Sequence, residues 1–410
     1  MAKTALSLAA AVVGATFLGT APAPGGAAMA AQPVKIGAIL SQSGALSPFA
    51  PATANALSLA VAEINAAGGI LGQTLDVVTV DDHSEARDAV SAAQHLITAE
   101  KVRAIVGPMG SASFAAVATQ VAAPHSIPVL SASATATTLD GIDSKGFAFR
   151  ASPSDVLQGA ALAAVARDKG YKAVSVVYVA SDYGKGLAQA FSDAYGRLGG
   201  KVVATIPFAA KTAGDHDEPK KAAVDNKAEA MVAIAYPDDG VSLVKGALEG
   251  GFFNKFLLSD GLMDQGVIDG IGGQFLDGVS LAIPAVDAAG HEAFAKAYGA
   301  KFGPLPPTPY LDRAYDSVWL LALAAEKAQS TEGPKLRDAL REVTGDGGEK
   351  VGPGDFAKAR QLIHEGRKIT YVGAAGPYKF DARGGVSAGF VHWQIQDGKF
   401  GVVRPLPAKP

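Results

Sequence analysis

The chain has 410 residues, 49% of them hydrophobic and 18% charged, enough apolar material to fill the cores of two domains. Lysine and arginine number 36 against 39 aspartates and glutamates, and no basic run occurs, which argues against a nucleic-acid backbone as the main partner. Cysteine is absent, so neither a disulfide nor a lipid-bearing cysteine is available and stability rests on packing.

Residues 1–30 read as an export signal: Lys3 supplies the charge, 5–18 the apolar stretch, and Ala28-Met29-Ala30 a small-x-small cleavage site. The apolar stretch is too short to span a bilayer, and Pro22 and Pro24 follow it closely. Cleavage near Ala30 or Ala31 is expected, followed by a periplasmic location.

Apolar runs at Val34–Leu40, 74–80, 102–106, 127–130 and 147–149 read as strands. Between the first two, 54–66 carries Leu57, Val61 and Ile64 at helical spacing, and Gly68-Gly69 stops it. This βαβ alternation predicts a parallel, doubly wound sheet. Two hydroxyl-rich loops follow successive strands, Gly107-Pro108-Met109-Gly110-Ser111-Ala112-Ser113 and Ser131-Ala132-Ser133-Ala134-Thr135. In a parallel sheet they lie side by side at the carboxyl edge, where open α/β sheets hold ligands. The first loop also opens a helical stretch at 113–123, whose free amides favour an anion. Neither loop pairs a nucleophile with a base, so the pair reads as a carboxylate clamp.

After Arg150-Ala151-Ser152-Pro153 the alternation restarts, with strands at Ala173–Val179, Lys201–Phe208, 230–236, Phe256–Leu258 and 278–283. The restart predicts a second, similar lobe, and a cleft between lobes is the natural ligand site. Asp260 follows one of these strands and has two readings, an ammonium partner or the N-cap of the next helix. Tyr183 and Tyr236 follow two others and can supply a wall and a hydroxyl to the same pocket. From His291 the chain turns helical through 315–328, followed by a glycine-rich loop at 345–354 and strand-like pieces at 377–380 and Phe390–Gln396.

No histidine pair has zinc spacing, and Asp215-His216-Asp217-Glu218 reads as a solvated loop. Gly270-Ile271-Gly272-Gly273 is a fragment of a dinucleotide motif and reads as a helix end or a turn. A nucleophile elbow and a phosphate loop are both missing, so neither catalysis nor a cofactor or metal is expected.

Several segments carry a resemblance: Val34-Lys35-Ile36-Gly37 with Ser43-Gly44, the run Ala62-Glu63-Ile64-Asn65-Ala66-Ala67-Gly68-Gly69-Ile70-Leu71-Gly72, and Val80-Asp81-Asp82. Val106-Gly107-Pro108, Asp182-Tyr183-Gly184-Lys185-Gly186 and Gly376-Pro377-Tyr378-Lys379-Phe380-Asp381 complete the set. Together they resemble type I periplasmic solute-binding proteins of the leucine/isoleucine/valine-binding group, which serve ABC importers.

The resemblance implies two doubly wound α/β lobes joined by a multi-stranded hinge, with 31–151 and 283–374 in lobe 1 and 152–282 and 375–410 in lobe 2. It implies that Ser111 and Thr135 hold a ligand's α-carboxylate, while the backbone carbonyl of Ser133 and the acid Asp260 take its α-ammonium. Tyr183 and Tyr236 would close the pocket, and Phe49 and Tyr310 would touch the ligand's side chain. The implied ligand is a neutral amino acid, branched-chain or otherwise aliphatic, delivered by a monomeric receptor to an inner-membrane ABC permease. The departures are an aspartate and a phenylalanine where the group often has Glu and Tyr, and His83 and Gly110 where it has a cysteine pair. Those departures keep an alternative open, a receptor for an aromatic or aliphatic carboxylate or amide.

Overall fold

The computed structural model describes residues 1–2, 32–210, 217–224 and 227–406. The expected export signal, apart from Met1 and Ala2, lies outside the described residues, as do Asp215 and His216.

Five strands form the first sheet: β1 (Val34–Leu40), β2 (Leu75–Asp81), β3 (Ile105–Val106), β4 (Val129–Ser131) and β5 (Ala148–Arg150). They are all parallel, in the order β2-β1-β3-β4-β5. Side chains alternate across a strand, so Ile36, Ala38 and Leu40 enter one core while Ile39 enters another on the opposite face. Both faces are therefore covered, as a parallel sheet requires. The expected strand at 102–106 shrinks to two residues, because Val102 closes the preceding helix by donating to the Leu96 carbonyl at 3.1 Å. The expected helix at 54–66 begins earlier, at Ala50, with Pro51 in its first turn.

The second sheet repeats this arrangement with β6 (Ala173–Val179), β7 (Lys201–Phe208), β8 (Ala230–Ile234), β9 (Phe256–Leu258) and β10 (Ser280–Pro284). These five are parallel in the order β7-β6-β8-β9-β10. A small third sheet joins β11 (Glu349–Val351), β12 (Ile369–Gly373) and β13 (Gly376–Pro377). Strand β11 thus runs inside the expected glycine-rich loop, and the strand expected at 377–380 stops at Pro377, which has no N–H to extend a ladder. Antiparallel β14 (Phe390–Gln396) and β15 (Lys399–Leu406) then extend the second sheet beyond β10. Strand β15 escapes the sequence reading because its surface is mixed, with Val402 61% and Val403 46% exposed on an edge.

The helix Leu311–Ala328 is the spine of the first lobe, with every residue from Leu311 to Glu326 buried. Its Asp316 accepts hydrogen bonds from the Tyr371 and Tyr378 hydroxyls and from the amides of Ala374 and Ala375, all at 2.7–2.8 Å. Burial outweighs those donors and pushes its carboxyl up to about 7. Three chain segments run side by side between the lobes. Arg150 N–H donates to Gly384, Ala285 N–H to Gly389, each at 2.8 Å, and Pro153 bridges to Val386. The buried Arg313 ties two of them by donating to the carbonyls of Ala151 and Ala285, both at 3.0 Å. Tyr378 and Phe380 pack in the first core, past the expected crossing at 375, and Ser280–Pro284 lies wholly in the second sheet.

Candidate functional site

In each sheet the strand order reverses once, between β1 and β3 in the first and between β6 and β8 in the second. Connections leave a sheet on opposite faces at such a reversal, which opens a crevice at the carboxyl ends of the strands. The residues leaving β1 and β3, Leu40 and Val106 with the loop to Ser111, line one side of a cavity. The residues after β6, β8 and β9, Tyr183, Tyr236 and Asp260, line the other. Space for water centres inside it is about 50 Å³, room for roughly three to five waters.

Of the residues implicated by sequence, Phe49, Ser111, Ser133, Tyr183, Tyr236, Asp260 and Tyr310 all line this one cavity. Thr135 is not among the lining residues; it is 1% exposed and lies behind Ser111, to which its amide donates at 3.2 Å. The Ala136 amide donates to the same Ser111 oxygen, also at 3.2 Å. Both lone pairs of that hydroxyl are thereby used and its proton is left for an acceptor in the cavity. Ser111 opens the helix Ser111–Val117, earlier than the start at 113 read from sequence. The two loops are locked together: the Ser131 hydroxyl donates to the Pro108 carbonyl at 2.6 Å and the Ser133 hydroxyl to the Met109 carbonyl at 3.0 Å. Gly107 makes the close turn possible, since at φ +90° a Cβ there would stand 2.2 Å from the Ile39 carbonyl oxygen.

The two readings of Asp260 separate cleanly. It opens a short turn, Asp260–Leu262, without capping it, and the next helix is capped instead by Asp264, which accepts from Gly266 N–H at 2.7 Å. The Asp260 carboxylate accepts from the Gln158 amide at 2.7 Å and the Tyr183 hydroxyl at 2.6 Å on Oδ1, and from the Tyr310 hydroxyl at 2.7 Å on Oδ2. A carboxylate offers about four acceptor positions, so one position on Oδ2 remains for a ligand donor. Tyr183 stacks on Tyr236 with ring centroids 5.6 Å apart. Burial, and then the charge of Asp260, push the phenols of Tyr183, Tyr236 and Tyr310 upward, so all three remain neutral donors at ordinary pH.

Tyr310 precedes the helix Leu311–Ala328, whose Leu311 belongs to the first core, so its bond to Asp260 joins the two lobes across the cavity. It sits at φ +69°, a left-handed conformation that costs a non-glycine residue about 1 kcal/mol or more and recurs at ligand sites. The rest of the wall is apolar, with Leu46, Pro108, Met109, Pro309 and Ala314 around Phe49. Sequence reasoning passes over Gln158, buried at 1% exposure, because a glutamine one turn into a helix reads as solvated surface. The signal available is the period, since Gln158 shares a helix face with buried Leu162.

The family model described as periplasmic binding protein matches residues 33–376. The chemotactic signal transduction system substrate-binding protein BasB of Halobacterium salinarum is 29% identical over 381 residues, covering 90% of this chain and 88% of that one. Leu/Ile/Val-binding protein homolog 7 of Brucella abortus is 26% identical over 354 residues, covering 81% and 86%. The crystal structure of the branched-chain amino acid transporter substrate-binding protein LivJ from Streptococcus pneumoniae, in complex with isoleucine, aligns with a TM-score of 0.75. That alignment has 27% identity and covers 91% of this chain and 100% of that one.

Proposed function

The chain belongs to the periplasmic binding protein family, and on that premise we propose that it is the receptor of an ABC importer, holding a neutral aliphatic amino acid between its lobes. One observation carries this reading: the Asp260 carboxylate, with an acceptor position unused, and the Ser111 hydroxyl, with its proton unused, line the same small cavity from opposite lobes. A zwitterion satisfies both at once, its ammonium donating to Asp260 and its carboxylate accepting from Ser111. Closure is then stabilised by the ligand because each lobe supplies half of the grip. The apolar wall around Phe49 and Met109 favours a hydrocarbon side chain. The isoleucine in the LivJ relative agrees with this ligand class.

The receptor acts as a monomer in the periplasm, exported by residues 1–30, and hands its ligand to an inner-membrane permease without chemistry. The moving bodies are the two lobes, with Ser280–Pro284 in the second and Tyr378 and Phe380 in the first. A thermal-shift screen of the twenty amino acids against benzoate-like and aliphatic acids tests the ligand class, because a ligand raises apparent stability by mass action. Stabilisation by leucine, isoleucine or valine is expected. Stabilisation by the acids and by no amino acid would replace this reading with the carboxylate receptor.

A further inference from the structure

The helix Asp155–Asp168 begins directly after the first inter-lobe crossing, capped by the Ser154 hydroxyl, which accepts from Val156 N–H. Asp155 and Gln158 are three residues apart and so share a helix face. Gln158 touches Asp260 at 2.7 Å from that face. Asp155 itself is fully buried; its amide donates to the Thr135 carbonyl at 2.9 Å, behind the Ser111 loop. Neither oxygen of its carboxylate makes a hydrogen bond of good geometry among the described residues, although the Thr135 hydroxyl, itself otherwise unpartnered, stands close enough to favour the charged form.

The groups acting on Asp155 come from every element around it. Asp260 faces it from the turn after β9, Thr135 from the loop after β4, Arg150 from the end of β5 and Asp140 from the turn before that strand. The phenols of Tyr183, Tyr236 and Tyr310 face the same pair of acids. Arg150 is the nearby cation, and it is already engaged in an ion pair with Asp140. Asp140 is held in turn by the Ser154 hydroxyl at 2.8 Å. Two buried acids therefore share a neighbourhood whose cation is committed elsewhere, and a second uncompensated carboxylate there is strongly disfavoured. Burial first, and then the charge of Asp260, drive Asp155 toward its neutral form.

We propose that Asp155 selects for cationic head groups: it holds a proton until an ammonium enters the cleft, and then releases that proton to solvent. This rests on the ammonium reading of the site. The balance is one carboxylic acid becoming one carboxylate as one ligand ammonium arrives, with the proton taken up by buffer and no other bond changed. A plain carboxylate brings no cation and leaves Asp155 protonated. Asp155 acts through the field at Asp260, not by contact, so it is a positioning residue for charge.

Calorimetry of L-leucine binding to the full chain tests this, run between pH 5 and 7 in phosphate and in a buffer with a large protonation enthalpy. The observed binding enthalpy is expected to change with the buffer in the direction of net proton release. Asp155→Asn should still bind leucine but lose that buffer dependence. Wild-type protein that binds leucine with no buffer dependence overturns the proposal, and that arm does not depend on the variant folding. A second arm needs no ligand. The folded protein keeps a proton that the unfolded chain has lost, so wild-type stability should fall relative to Asp155→Asn as pH rises from 4 to 8. Melting curves that stay parallel over that range overturn the proposal as well. Should L-leucine not bind, the choice of amino acid fails, and the melting comparison still decides whether Asp155 holds a proton.

Discussion

Asp260→Asn is expected to weaken binding of a branched-chain amino acid by at least tenfold, measured by calorimetry on the purified receptor. The substitution keeps the side-chain shape and removes the charge, so the electrostatic part of the ammonium contact is lost. A hydrogen bond to a charged group contributes about 1.5 to 3 kcal/mol, which corresponds to roughly 10- to 150-fold in affinity. A second loss adds to it. Asp260 accepts from Gln158, Tyr183 and Tyr310, and an amide presents a donor where one of those groups also donates. The conflict falls either on the Tyr310 bond that joins the lobes or on the Gln158 and Tyr183 pair that orients the acid. A melting curve of the same variant separates damage to the fold from damage to the site. Unchanged affinity in a folded variant removes the zwitterion grip.

Trp319→Ala is expected to cost the protein about 3 to 5 kcal/mol of unfolding free energy, read from urea titrations. Trp319 is fully buried in the helix Leu311–Ala328. Its ring stacks on Tyr371 at 5.8 Å and meets Phe356 edge-on at 5.3 Å. Those neighbours belong to separate elements of the first lobe and cannot all close on the void left behind. The same helix carries Arg313, which ties the inter-lobe segments, and begins directly after Tyr310. Loosening it therefore disturbs the alignment of the lobes as well as the core. A surface control such as Val402→Ala, at a residue 61% exposed on an edge strand, should stay within about 0.5 kcal/mol of wild type. Equal losses for the two variants would contradict this account of the core.

The doubly wound pattern is legible in the sequence because parallel strands are covered on both faces and so appear as predominantly apolar runs such as Val34–Leu40 and Ala173–Val179. Strand ends also locate much of the site. Ser111, Tyr183, Tyr236 and Asp260 all follow strands, and the carboxyl edge is where such sheets gather their loops. The rest depends on contacts that no local pattern encodes. Tyr310 meets Asp260 across fifty positions of sequence and Gln158 meets it across more than a hundred. Asp155 reads as an ordinary acid in a first helical turn, favourable to the dipole, until its burial beside Asp260 is known. Thr135 sits in the hydroxyl-rich loop with Ser133, yet the turn sends the one behind the wall and the other onto it. Strands β11 and β15 escape for a different reason, since edge strands carry exposed and mixed side chains without a clean period.

A receptor of the proposed kind grips both charged ends of one small molecule, one end from each lobe. Calorimetry of wild-type protein with L-leucine and with 4-methylpentanoate, the same carbon skeleton without its ammonium, measures this directly. Leucine should bind at least tenfold more tightly, since only leucine engages Asp260. Equal affinities, or tighter binding of 4-methylpentanoate, would contradict the account.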